Sequence, residues 1–535
     1  MAYLDNGPEC AVSVKGLQTG DILDGHYNDC IKFDFIPKYA DILLVYHPYL
    51  CAHDHVEMTE EEIKKGMKAL FLLDEKTLVS GMRFCNFRRA RLAPKKSWEA
   101  VITGIVSFLA GEAMDVVFPD PVCTFKKGSR VSCASDTDEA VDRGLAWYRN
   151  ADMIVDDGKA GIKEGLSHHI YARNGEQMRA NQIRTDCTSE SGGAFLMDAF
   201  IRGNADSREI YDNTKDFSFT YMQVKDGLHK GMIRWSVAAW ETCYQDDVAR
   251  VVLPSLLEAN YGGGTGYFKE IQDALDYMVN TTGKNGLRRS RTDIPALNAD
   301  KMAALREEEC DMTSAHYNGF YHAVLLLAYR AGGSARYLEV AEKGLSSIMA
   351  CYPGNVRETS ETEENCRLIL PLAILYQVTG KEEHRQWLYR VTEELQKVRH
   401  ECGAYMEWDT GYQANCSRRE AGECALLAQN GDPVADMLYS VNWLPLGFAY
   451  AYLATKDVMF YQLWCDVASF FVSCQIYSED KTLDGAWTRA FDLERFEIYG
   501  VPHDVGWAPC CVESGWTVGE ILMGLQFMHL VEKLV

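Results

Sequence analysis

The sequence predicts a mainly helical fold, an (α/α)6 toroid preceded by a small N-terminal α/β domain. Three observations predict it. Helical periodicity takes over from strand-length apolar runs beyond about residue 130, the helical segments come in pairs of one apolar and one charged member, and Leu-Pro recurs within the apolar members.

The N-terminal part, residues 1–132, reads as α/β. Residues 41–46 form an apolar run of strand length, Thr59-Glu60-Glu61-Glu62 is a capping box opening a helix through Leu73, and Thr77-Leu78-Val79-Ser80 reads as a second strand. A helix over 97–110 and a strand over 114–118 complete a layered unit expected to have parallel strands. No phosphate-binding glycine loop follows any of these strands, so this unit is expected to be structural or an oligomer contact. The stretch 125–130 and the polar residues to Asp138 read as a linker.

Over 133–535 helical segments are expected to begin near 137, 184, 206, 241, 265, 313, 334, 361, 381, 433, 457 and 513. Leu253-Pro254, Leu370-Pro371 and Leu444-Pro445 fall within the first helix of three pairs. Mid-helix Pro removes a backbone hydrogen bond and is tolerated where packing holds the helix on all sides. The apolar helices are therefore assigned to an inner ring and the charged ones, such as 382–396, to an outer ring.

Composition narrows the function. The 535 residues carry 54 Lys and Arg against 77 Asp and Glu, a net charge of −23, which argues against nucleic acid or anionic membrane as partner. The most apolar stretches, 368–378 and 444–454, are short for a bilayer and contain Pro, and residues 1–14 lack a signal pattern, so a cytoplasmic location is expected. The 18 cysteines show no paired CxxC spacing and read as packed thiols, with no metal or cofactor expected. The expected partner is a small glycoside or oligosaccharide; a homo-oligomer stays open.

Residues 484–492 (Asp-Gly-Ala-Trp-Thr-Arg-Ala-Phe-Asp), Gly506-Trp507 and Glu513-Ser514-Gly515-Trp516 carry a family resemblance. Over about 135–535 the chain resembles the six-hairpin glycosidase superfamily, and this closing segment is similar to that of glycoside hydrolase family 154, whose members are similar to β-glucuronidases and β-galactosidases. The resemblance implies an exo-acting glycoside hydrolase that removes a terminal β-linked sugar.

In such a toroid the loops leading into the inner helices open on one face: 154–183, 224–240, 282–311, 353–360, 401–432 and 475–512. Hydrolysis of a glycosidic bond needs one protonated and one ionised carboxyl group. Asp186 and Glu190 lie four apart at a helix start, Asp246 stands one turn before Arg250, Glu309 precedes His316, Glu407 flanks Trp408 and Glu513 opens the last inner helix. Ordered as catalytic candidates they are Glu407, Glu513, Asp246, Glu309 and Asp186, two of which form the pair. The acid should be the more buried or aromatic-flanked group, and a helix start favours the ionised base. Trp235, Trp408, Tyr412, Trp487 and Trp507 are candidate sugar platforms, with His316, Arg489, Asp492 and Glu497 as polar contacts. Arg288 and Arg289 form a candidate guanidinium fork: if it faces the pocket a β-glucuronide is favoured, otherwise a neutral β-galactoside.

Rival readings stay open. Glu241-Thr242-Cys243 and Cys510-Cys511 resemble motifs of the zinc- and cysteine-dependent β-L-arabinofuranosidases of family 127, although the spacing is far longer. Unsaturated glucuronyl hydrolases share the toroid, His168-His169 or His316-Tyr317 would suit a lyase, and a non-catalytic carbohydrate-binding protein is the remaining alternative.

Overall fold

Strands β1 (Ala2–Tyr3) and β2 (Asp24–Gly25) precede β3 (Asp41–Val45), helix α1 (Glu60–Lys65), β4 (Lys68–Asp74), β5 (Thr77–Ser80), β6 (Leu92–Ala93) and helix α2 (Lys95–Ala110). The computed structural model describes residues 1–3, 14–25, 31, 33, 41–46, 57–82, 92–117, 123–171, 176–264, 266–409, 430–499 and 511–535. One sheet runs in the order β1-β3-β4-β5 with every pair antiparallel, which corrects the expectation of parallel strands. The cause is local. Thr59 caps α1 as expected, but the helix stops at Lys65 rather than continuing to Leu73, because residues 69–72 are buried and apolar on both faces and extend as β4. Only Glu75 and Lys76 separate the paired residues Asp74 and Thr77, and so short a connection permits an antiparallel hairpin alone. Residues 114–117, expected as strand, have no regular structure, and Phe118 lies outside the described residues.

The sheet and α2 bury a core of their own around Leu23, Leu44, Leu70 and Trp98. Beyond residue 123 the side chains pack with the helical ring instead. The stretch 125–130, expected as a linker, is anchored there by Phe125, edge-on to Phe491 at 5.0 Å.

The ring contains α3 (Asp138–Asn150), α4 (Thr185–Arg202), α5 (Ala205–Asp216), α6 (Gln245–Tyr261), α7 (Phe268–Asn280), α8 (Ala299–Glu307), α9 (Ala315–Arg330), α10 (Ala335–Cys351), α11 (Glu361–Thr379), α12 (Glu382–Gln396), α13 (Leu444–Thr455), α14 (Val458–Cys474) and α15 (Glu520–Leu534). Helices α4, α6, α9, α11, α13 and α15 each pack on the next, and α15 packs back on α4, closing an inner circle of six. α5, α7, α10, α12 and α14 each follow their inner partner outside it, and α3 pairs with α15, so the first outer helix completes the last hairpin. This is the (α/α)6 toroid.

The pattern of burial follows the sequence. α12 buries His384, Leu388, Val391, Thr392 and Leu395, one stripe at helical spacing, whereas residues 362–375 of α11 are buried all round. Pro254 and Pro371 lie inside their helices as expected, but Pro445 sits in the first turn of α13. That helix begins at Leu444 rather than near 433, since residues 434–436 extend as a strand and Pro is pre-organised for a helix start. α4 is pinched between its neighbours at Gly193, where a Cβ would come within 2.9 Å of Met523 Sδ and 3.0 Å of Pro254 Cγ.

Strands β7 (Lys163–Ile170) and β8 (Gln177–Ile183) form a hairpin, with β12 (Val512–Glu513) pairing β7; β9 (Val434–Asp436), β10 (Ala490–Asp492) and β11 (Glu497–Tyr499) make a second small sheet. Both lie in the loops that lead into inner helices. At the opposite end of the ring, the Arg330 guanidinium donates from Nη1 to Tyr261 Oη (2.6 Å), Gln377 Oε1 (2.8 Å) and Tyr450 Oη (3.0 Å), tying together the ends of α6, α9, α11 and α13. No helix of the described residues is long and apolar enough to cross a membrane.

Candidate functional site

Each inner helix runs antiparallel to its outer partner, so all six start at one end of the ring. There the sequence places charge, and the fold buries it. Trp516 stands at the centre. Its indole Nε1 donates to Asp186 Oδ2 at 2.8 Å, the Arg250 guanidinium lies 3.5 Å from its ring centroid, and the Tyr439 and His316 rings are 5.3 and 6.0 Å away.

On the α4 side, Arg184 holds Asp186 through both carboxylate oxygens and reaches Glu164 of β7 at 3.2 Å and Asp247 of α6 at 3.7 Å. Burial opposes the charge of Asp186, but the attraction of Arg184 and the Trp516 hydrogen bond outweigh it and hold this carboxyl below its usual range. Asp247 goes the other way: burial, then repulsion from Asp186 and Asp246, pushes it well up. A recess beside these groups is lined by Thr185, Arg234, Trp235, Tyr244, Asp186 and Asp247.

Next around the ring, Asp246 lies 3.6 Å from Arg250 on its own helix and 3.5 Å from His316 Nε2 on α9. His316 Nδ1 lies 2.7 Å from Glu363 Oε1 on α11. Burial, reinforced by Arg367, keeps this imidazole neutral, with its pKa pushed down to about 3. Beyond Glu363 come Glu407 and Asp436. Burial first, then the neighbouring Asp436, raises Glu407 to about 8, and its Oε1 has no hydrogen-bond partner. Asp436 accepts from the backbone of Leu438 (2.7 Å) and Tyr439 (2.8 Å) and from Arg489 Nη2 (3.2 Å). Thr362 Oγ1 donates to Met406 O at 2.8 Å and Glu407 N to Val434 O at 2.8 Å, so Glu407 is held between the start of α11 and β9.

Of the residues singled out in the sequence, Asp186, Asp246, His316, Glu407 and Arg489 belong to this arc, and Trp235 lines the recess. Glu513 is buried beside them and raised to about 8 by burial, but it accepts from Cys187 Sγ at 2.6 Å and from Thr517 N at 3.3 Å, fixing the turn before α15. Glu309 is not part of the arc: its side chain is 69% exposed and pairs with Lys284. Arg288 and Arg289 do not form a fork. Arg288 is buried and donates to Gln245, Thr281 and Thr292, while Arg289 is 63% exposed. Trp487 is a core residue, fully buried with Nε1 donating to Phe471 O, and not a platform. Asp492 caps a turn by accepting from Glu494 N and Arg495 N, and Glu497 accepts from Lys95 N. Trp408 is 36% exposed at the rim. Tyr412, Trp507 and Cys510 lie outside the described residues. Cys511 packs with Cys187, Tyr439 and Trp516, whereas Cys243 lies in the ring core, and among the described residues no group of three or more His, Cys, Asp or Glu is placed to hold a metal ion.

Sequence reasoning passed over Glu363, Arg367, Asp436 and Glu520. A signal for two of them is present: Asp246-Asp247-Val248-Ala249-Arg250-Val251-Val252-Leu253-Pro254 and Glu363-Glu364-Asn365-Cys366-Arg367-Leu368-Ile369-Leu370-Pro371 are two copies of one pattern, paired acids, then Arg, then Leu-Pro. Each acid and its Arg are one turn apart and point into the arc.

No protein-family model and no curated protein matches the chain. Solved structures do match in fold. One is D-mannose isomerase, 14% identical, covering 78% of this chain and all of that one with a TM-score of 0.53. A sugar epimerase from a ruminal bacterium is 11% identical, with 75% and 99% of the two chains covered and a TM-score of 0.52. A cellobiose 2-epimerase from Spirochaeta thermophila is 12% identical, with 75% and 97% covered and a TM-score of 0.51. The chain thus shares the (α/α)6 toroid with these sugar-processing enzymes.

Proposed function

We propose that this chain is an exo-acting glycoside hydrolase of the kind its closing segment resembles, with Glu407 as general acid and Asp246 as the base that activates water. The observation that carries this reading is the presence, at one end of the ring, of two buried carboxyl groups in different surroundings. Glu407 is buried with one oxygen unpartnered and stays protonated near neutral pH, while Asp246 sits in the first turn of α6 between Arg250 and His316. A protonated group assists the leaving oxygen, and an ionised group at a helix start draws a proton from water. Trp516 and Tyr439 pack edge to face at 5.3 Å beside His316. Because Arg288 and Arg289 are not gathered at the site, a terminal neutral β-galactoside is favoured over a β-glucuronide. Assaying aryl β-galactoside and β-glucuronide with the wild type, Glu407→Gln and Asp246→Asn tests the reading. Turnover abolished by either substitution supports it, and wild-type inactivity on both glycosides overturns it.

A second reading rests on His316. Its Nδ1 lies 2.7 Å from Glu363 and its Nε2 3.5 Å from Asp246; the tautomer that donates from Nδ1 to Glu363 leaves Nε2 as the nitrogen that would take a proton from a sugar carbon. The matching structures are named as an isomerase and two epimerases, which agrees with this reading. Incubation with mannose or cellobiose in D2O separates the two readings, since only carbon deprotonation exchanges a carbon-bound hydrogen for deuterium.

A further inference from the structure

The loop between α5 and α6 carries a second aromatic surface that the proposed chemistry does not use. Trp240 and Tyr221 are 37% and 54% exposed, and their rings contact each other at 5.2 Å. Arg234 lies between this pair and the recess. Its guanidinium stacks over Trp240 at 4.3 Å and donates to Trp240 O at 2.7 Å, while Arg234 itself lines the recess with Trp235 and Tyr244. Arg234 therefore touches both the exposed ring pair and the recess beside the buried carboxylates.

This surface is built onto the start of α4. Thr185 N donates to Trp235 O (2.9 Å), Thr185 Oγ1 to Arg234 O (2.6 Å), Val237 N to Ile183 O (3.1 Å) and Trp235 N to Thr242 O (2.8 Å). The residue after Thr185 is Asp186, so the exposed rings and the charged arc share one backbone anchor. Large rings exposed this close to buried charged groups are not explained by core packing.

We propose that Trp240 and Tyr221, with Arg234, form a subsite for the leaving-group side of the substrate, stacking on a second pyranose or aryl ring attached to the sugar held at the carboxylates. An aromatic face suits the apolar face of a pyranose, and the Arg234 guanidinium is placed to donate to its hydroxyls. This inference rests on the glycosidase reading for what occupies the inner position, but it concerns binding and is tested without turnover.

The test titrates wild type and Trp240→Ala with galactose, glucuronic acid, and the non-hydrolysable S-linked disaccharide of each with glucose, followed by calorimetry. The expected result is that a disaccharide binds the wild type about fivefold or more tighter than its monosaccharide, and that Trp240→Ala erases the difference while monosaccharide affinity is unchanged. Equal affinities of monosaccharide and disaccharide, or a Trp240→Ala variant that retains the preference, overturn the subsite and leave the glycosidase reading standing. No binding of any of the four sugars overturns both.

Discussion

Asp246 and Glu363 occupy the same position in two copies of one repeated pattern, and the ring of His316 spans them, 3.5 Å from the first and 2.7 Å from the second. The helix between the two copies thus supplies the bridge that joins them. Two expectations follow. His316→Gln keeps one polar end but cannot reach both carboxyls, so turnover should fall by on the order of 100-fold or more. If catalysis is hydrolytic, His316 positions Asp246, and the loss should fall on kcat rather than KM, which steady-state kinetics of wild type and variant will show.

Glu407 as the acid must carry its proton. With its pKa near 8, activity should decline as pH rises through about 8. Glu407→Gln should lose about 100- to 10,000-fold in kcat on a poor leaving group and much less on an activated aryl glycoside, which needs no proton. A comparison of nitrophenyl and alkyl glycosides measures this.

Stability should depend on pH with an unusual sign. Glu364, Glu407 and Glu513 are each raised to about 8, so between 4.5 and 8 the folded chain binds protons that the unfolded chain has released, and stability is lost as pH rises through that window. His316, lowered from 6.5 to about 3, works oppositely and removes stability as pH falls below 6.5. The two effects compete below 6.5, whereas above it only the carboxyls act. The Tm should therefore fall from pH 6.5 to pH 8, and Glu513→Gln should flatten that fall in thermal scans.

Arg250 is surrounded by Glu190 (3.5 Å), Asp246 (3.6 Å) and Glu520 (3.9 Å), all buried. Replacing it with Met leaves those carboxyls without their cation and should cost about 3 kcal/mol or more. Arg289→Ala, on an exposed side chain, should change stability by less than about 0.5 kcal/mol. Denaturant melts of the two variants give the contrast.

Gly231 has φ +91°, and a Cβ there would stand 1.8 Å from Asp273 O; Gly227 has φ +73° with open space around it. Gly227→Ala should cost only the left-handed backbone penalty, about 1 kcal/mol, whereas Gly231→Ala must also displace the α7 backbone and should cost more than twice that.

The ring was legible because inner and outer helices differ in composition: an all-round apolar stretch such as 368–375 and a striped one such as 382–396 state their places directly. The N-terminal sheet was less so, since residues 69–72 are equally apolar on a buried helix or a buried strand, and only the neighbouring chain decides. At the site, residues in first turns such as Asp186 and Asp246 could be picked out, while Asp436 could not. It owes its place to β9 pairing with β10 across more than 50 residues, a contact that leaves no local mark. Glu309 and Arg289 had the right residue type and the right loop, but loop direction sends them to solvent.

The knot of Tyr261, Arg330, Gln377 and Tyr450 stoppers the far end of the ring. The helix starts are then the end left for a ligand to enter and leave by, and under the proposed hydrolysis a released sugar should compete with incoming substrate and slow turnover as it accumulates.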